Sequence, residues 1–203
     1  MRKRPLTVVF LDVDGFISMH NPADHNERFE MWGGLPAFPI PIVNQLLRGL
    51  DTDPALLPVW MTCWDSRAWK WNERAGTRTF PVAYYLSPRQ ISRAKRLYPD
   101  LAYKGYDDKL LAAAYFLRKY PNVGVVWLED GFAWETAIYA EVKGWKLIDV
   151  TVEPLPTILR HPWAYPDFAA DSFIRHFIKG EQSEYKGIGF ATDYQGYLAE
   201  ILR

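Results

Sequence analysis

The stretch Thr7-Val8-Val9-Phe10-Leu11-Asp12-Val13-Asp14-Gly15 constrains the fold more than any other part of the chain. An unbroken apolar run of β-branched and aromatic residues predicts a strand covered on both faces, as at the centre of a parallel sheet. The run stops on two carboxylates two residues apart. While the chain stays extended, Asp12 and Asp14 leave the same side, and Gly15 permits a sharp turn just beyond them. Open α/β sheets keep their ligands at the carboxyl edge, and paired acids there suit a hard cation or acid and base work on one substrate. The plainer reading is a surface turn, since Asp and Gly are common where strands end. That reading gives no reason for a second carboxylate set directly against the hydrophobic run.

The rest of the chain alternates in kind. Pro41 opens a helix carrying Ile42, Val43, Leu46, Leu47 and Leu50 at helical spacing, and residues 56–61 form a second apolar run that stops at Thr62. A helix to about Arg74 follows, then a short strand over 82–86 and a basic helix opened by Ser87-Pro88. A better helix begins at Asp107-Asp108-Lys109. Residues 123–128 form a strand that ends on Glu129 and Asp130, a helix from Trp134 to Lys143 stops at Gly144, and residues 145–150 form a fifth strand. Strands alternating with helices imply an α/β fold with a mainly parallel sheet. Residues 16–41 are punctuated by Pro and Gly and predict a loop or short hairpin. Residues 153–189 depart from the rhythm as a non-core insertion, in which 168–178 form one amphipathic helix, and residues 194–202 predict a closing helix.

At 203 residues the chain fits one domain, 1–203, with a core of ordinary size. The single cysteine, Cys63, excludes an intrachain disulfide framework and fits a reducing, cytoplasmic setting. The basic start Met1-Arg2-Lys3-Arg4 precedes too short an apolar run for a signal peptide, and no stretch has the length to span a bilayer. Neither Cys63 nor His20, His25, His161 and His176 shows metal-ligand spacing.

Formal net charge is zero, which argues against coating nucleic acid by bulk electrostatics. The charge is unevenly spread, however. From Asp65 to Tyr98, Arg67, Lys70, Arg74, Arg78, Arg89, Arg93, Lys95 and Arg96 face only Asp65 and Glu73, with Trp69, Trp71, Tyr84, Tyr85 and Tyr98 interleaved. Such mixtures hold phosphate backbones and stacked bases. A solvated helix face with aromatic stems beneath it has the same composition.

The order of these strand ends resembles the haloacid dehalogenase-like phosphohydrolase superfamily over most of residues 6–150. Asp12-Val13-Asp14-Gly15 looks like its first motif, Thr62 its second, Lys109 its third and Glu129-Asp130 its fourth. Lys104 competes for the third role, and Lys109 is preferred because it opens the helix leading into the fourth-motif strand. Glu129 stands where many relatives have Gly or Asp, and Glu135 follows where Asp is usual.

The resemblance implies a Rossmann-like three-layer sandwich with five strands ordered 5-4-1-2-3 and no large cap domain. It implies Asp12 as nucleophile and Asp14 as acid and then base. It further implies Thr62 and Lys109 on the phosphoryl oxygens, and Mg²⁺ held by Asp12, the Asp14 backbone carbonyl and Asp130. Cys63, Arg67, Arg89 and Arg93 are the substrate-binding candidates. Thr62-Cys63-Trp64, Ala68, Trp127 and residues 144–149 are similar to a small capless group from actinobacteria and their phages. An open site of that kind would admit nucleotides or nucleic-acid ends as well as small phosphorylated metabolites. The alternative class is a binding or regulatory module that keeps the fold without turnover.

Overall fold

The computed structural model describes residues 6–14, 17, 30–32, 35–37, 41–103, 108–149 and 174–179. The apolar run near the start forms β1 (Thr7–Leu11), and its sheet partners are β4 (Leu56–Trp60), β5 (Gly124–Glu129) and β6 (Lys146–Asp149). All pair in parallel, in the order β4-β1-β5-β6. Strand β1 is therefore central, with Leu11 level with Trp60 on one side and Leu128 on the other. That register sets the ends of three strands side by side.

Helices cover both faces, which is why β1 has no polar side. Val9 and Leu11 pack with α1 (Pro41–Thr52) and α2 (Trp69–Ala75), among them Val43, Leu47, Trp71 and Ala75. Val8 and Phe10 face the other layer. It holds α3 (Pro88–Leu97), α4 (Pro99–Tyr103), α5 (Asp108–Leu117) and α6 (Trp134–Lys143). Helix α5 is buried almost all round and reaches the sheet through Phe116, whose ring meets Phe10 edge-on at 6.0 Å, while Phe10 meets Trp127 at 5.6 Å. A small antiparallel pair, β2 (Glu30–Trp32) and β3 (Leu35–Ala37), is the hairpin expected within residues 16–41, and Trp32 packs edge-on against Trp71 at 4.7 Å.

The strand expected over 82–86 is not formed. Only Val82 pairs, by a single parallel bridge to Trp60, with Trp60 N–H donating to Pro81 O and Ala83 N–H donating to Trp60 O. The chain then bends at Tyr84, and Ser87 and Gln90 exchange hydrogen bonds in a capping box that starts α3, so no extended residues remain to continue the ladder.

Of the proposed insertion, only 174–179 lie within the described residues. Ile174–Ile178 form a π-helical turn whose Ile174 and Ile178 are buried with the α1 layer, and Lys179 forms an ion pair with Asp53. The rest of the 168–178 helix and the closing helix at 194–202 fall outside the described residues. No helix among the described residues is long and apolar enough to cross a membrane.

Beneath the β4 end lies a buried polar stitch. Asn72 on α2 accepts from the Trp60 indole N–H at 2.8 Å and donates to Thr77 Oγ1 at 2.9 Å. Both Asn72 and Trp60 are almost fully buried. Replacing Asn72 by Ala strands the indole donor, so urea denaturation of Asn72→Ala is expected to show a loss of about 2–3 kcal/mol. A loss below roughly 0.5 kcal/mol, the range of ordinary surface changes, would contradict the role given to this bond.

Candidate active site

The carboxyl edge gathers Asp12 from β1, Thr62 just past β4, and Glu129 and Asp130 from the end of β5. Asp12 N–H donates to Leu128 O at 3.1 Å and Met61 N–H donates to Leu11 O at 2.8 Å, so the ladder continues one residue beyond β1 and β4. Asp12 is 4% exposed and Glu129 5%. Two carboxylates so little hydrated need a cation, and α5 supplies it from its first turn. Lys109 Nζ lies 2.6 Å from Glu129 Oε1 and 3.3 Å from Asp12 Oδ2. Buried Leu110 and Leu111, next along α5, hold that turn against the sheet.

The electrostatics follow from crowding. Burial disfavours the Lys109 ammonium, but the charges of Asp12 and Glu129 outweigh it and hold its pKa above the ordinary lysine value. Burial, then the charge of Asp12 and a hydrogen bond with it, pushes the Glu129 carboxyl up to about 9 against the pull of Lys109. Loss of surrounding water and then the charge of Asp12 also raise Asp130. Carboxylate oxygens of Asp12, Glu129 and Asp130 lie within 4.8 Å of one another, a hard-oxygen set of the kind a divalent cation takes. Glu135 is not in that group.

Asp14 is held differently. The buried Trp64 indole N–H donates to both of its oxygens, at 2.9 and 3.1 Å, and the Cys63 thiol lies 3.6 Å from Oδ2. Its carboxylate thus stands apart from the three-acid group. Thr62 is fully buried and accepts from Trp64 N–H at 3.3 Å, which fixes its hydroxyl within a turn while leaving its own proton to donate. That turn is tightened by Asp65, whose φ of 56° lies in the left-handed region Asp tolerates.

The substrate-binding candidates separate. Cys63 is exposed at the site mouth, and burial of its thiol followed by the charges of Asp14 and Asp12 raises its pKa, so it stays a thiol rather than a nucleophile. Arg67 donates from Nε to Trp64 O at 3.0 Å and reaches Cys63 O at 3.5 Å, so its guanidinium closes the loop. Arg89 and Arg93 lie exposed on α3, where they line a surface depression with Pro88, Ser92 and Arg96. Lys104 falls outside the described residues.

Trp64 and Trp127 are the site residues whose roles sequence reasoning missed. Trp127 donates its indole N–H to Glu129 Oε2 at 3.1 Å. Its signal was present, because residues two apart in a strand share a face. Trp64 reaches Asp14 only through the fold. No protein-family model, curated protein or solved structure matches the chain.

The raised Glu129 pKa has a testable sign. The folded protein keeps a proton that the unfolded chain releases near pH 4.5, so this contribution to stability is complete below about pH 4.5 and is lost as pH rises through about 9. With chelator present, Glu129→Gln, which mimics the protonated acid, is expected to gain on the wild type steadily across that window in urea midpoints. A difference that is flat or of opposite slope would show that Glu129 is ionised in the fold.

Proposed function

We propose that the chain is a Mg²⁺-dependent phosphatase of the haloacid dehalogenase-like kind that hydrolyses phosphate monoesters through an aspartyl-phosphate on Asp12. The observation that carries this reading is the placement of Asp12. It sits at the carboxyl end of the central strand, with Lys109 at 3.3 Å and Thr62 at the end of the adjoining β4. A carboxylate flanked by an ammonium and a buried hydroxyl is suited to attack an anionic phosphoryl group, because both neighbours are donors to its oxygens.

In this mechanism an Asp12 oxygen bonds to phosphorus and the ester P–O bond breaks. Asp14 gives its proton to the departing oxygen. Asp14 then takes a proton from water, whose oxygen bonds to phosphorus as the acyl-phosphate bond breaks, releasing inorganic phosphate and restoring Asp12. The Trp64 indole fixes the Asp14 carboxyl for both transfers.

Asp12 and Asp130, with the Asp14 carbonyl, would hold Mg²⁺. The clustered carboxylates fit a hard divalent cation, which when bound supplies charge neutralisation to the phosphoryl oxygens. Glu129 spends one oxygen on Lys109 and the other on Trp127. Its role in this mechanism is to position Lys109. The same reading takes the chain as one capless, cytoplasmic domain with residues 153–189 outside the core. In the 5-4-1-2-3 order strand 3 would lie beyond β4, the side on which the single bridge from Val82 to Trp60 forms.

Phosphate release from a panel of phosphorylated metabolites and nucleotides, with and without Mg²⁺, tests the proposal. Asp12→Asn is expected to abolish turnover while keeping wild-type circular dichroism, and Asp14→Asn to slow it roughly 10²–10⁴-fold. Asp130→Ala is expected to raise the Mg²⁺ requirement far more than Glu129→Ala, since the Glu129 oxygens are already engaged. Undiminished turnover by Asp12→Asn would refute the mechanism. Ligand binding with no turnover by the wild type would favour the non-catalytic module instead.

A further inference from the structure

Helix α3 carries a charged face that the proposed chemistry does not use. Its sequence, PRQISRAKRL, has no acidic residue, and only Ala94 is buried. Arg89, Arg93 and Arg96 fall within a narrow arc at helical spacing, stepping about 6 and 4.5 Å along the axis at 1.5 Å per residue. With Pro88 and Ser92 they line an open depression of about 660 Å³. All three arginines are exposed, and none has an acidic partner among the described residues. Elsewhere the chain does neutralise surface cations, as Lys70 with Glu73 and Arg78 with Asp51. Unpaired guanidiniums held in a row by a capped helix are a ready counter-surface for spaced phosphates.

A link joins this face to the acids. Tyr85 is 53% exposed, its ring packs edge-on with Tyr84 at 5.1 Å, and its hydroxyl donates to Cys63 O at 3.0 Å. Cys63 in turn touches Asp14, and Arg89 follows Tyr85 by four residues. An exposed ring is thus tied to the loop beside Asp14 and comes four residues before the arginine row.

We infer that the α3 face binds the phosphodiester backbone of a single-stranded polynucleotide, with a base stacked on Tyr85 and Arg89, Arg93 and Arg96 on successive phosphates. The placement of the strand's terminal phosphate at Asp12 rests on the phosphatase reading, whereas the α3 surface does not. Zero net charge is no obstacle, because the contact needs a local field only.

The test is fluorescence anisotropy with a labelled, phosphate-ended oligothymidylate of about 12 nucleotides, in chelator so that no turnover intervenes, against thymidine monophosphate as competitor. The oligonucleotide is expected to bind more tightly. Three phosphate contacts at about 0.7 each contribute roughly 2 to the slope of log K against log salt, and Arg89→Gln, Arg93→Gln and Arg96→Gln each remove about 0.7. Tyr85→Leu is expected to weaken binding about 5- to 150-fold, and Tyr85→Phe, which keeps the ring and loses the bond to Cys63, to hold it.

Equal affinity for oligonucleotide and mononucleotide, or a slope unmoved by the three substitutions, overturns the inference and leaves the phosphatase reading to small esters. A slope that falls as expected in a protein that hydrolyses no phosphate ester keeps the surface and rejects the phosphatase.

Discussion

Three carboxylates crowded at one sheet edge around the Lys109 ammonium are the constraint on which the rest of the site depends. Asp12 and Glu129 are almost excluded from water, and an unpaired buried charge costs several kcal/mol by rough reckoning. Lys109 lies against both, and burial together with the charge of Asp12 shifts Glu129 toward its neutral form. Asp130, more exposed, keeps the edge open toward solvent. The arrangement stores an attraction for a further cation, since any added positive charge relieves repulsion that Lys109 leaves only partly satisfied.

The architecture explains how such a cluster is tolerated. Parallel pairing on both sides of β1 aligns Leu11 with Trp60 and Leu128, so the polar residues just beyond them converge without any loop having to place them. Helix α5, buried through residues 110–116, anchors Lys109 against the strand ends that carry its partners. Two indoles complete the support from beneath, Trp127 toward Glu129 and Trp64 toward Asp14. Each tryptophan joins a large buried ring to one donor, which packs the core and orients a carboxylate with the same side chain.

Much of this was legible in the sequence, for physical reasons that differ by element. The doubly buried β1 run, the Pro41 and Ser87-Pro88 helix starts and the Gly144 stop are local signals, and each marks its element's place. The convergence of Asp12, Thr62, Glu129 and Asp130 followed from parallel topology, whereas Lys109 was placed there by the motif resemblance. The pairing of Glu129 with Lys109 followed from neither, because it depends on the depth to which α5 packs. Residues 82–86 had the composition of a strand, but the capping box at Ser87 took the chain into a helix after one bridge. Trp69 and Trp71 looked alike within the basic stretch, yet Trp71 is fully buried and Trp69 is exposed, since aromatic content does not say which face a ring takes. Arg67, grouped in the sequence with the basic binding residues, also closes the loop that holds Asp14 in place, a contact no local signal announces.

The central claim is that Asp12 is a nucleophile rather than a ligand alone, and acid-quench mass spectrometry tests it most directly. The protein would be mixed with Mg²⁺ and a substrate it turns over, quenched during the first turnover, digested and mapped. The account predicts one phosphoryl group on the peptide spanning Asp12, absent from Asp12→Asn. Turnover accompanied by no acid-stable phosphoryl adduct under conditions that trap acyl phosphates, or an adduct mapped to another residue, would contradict it.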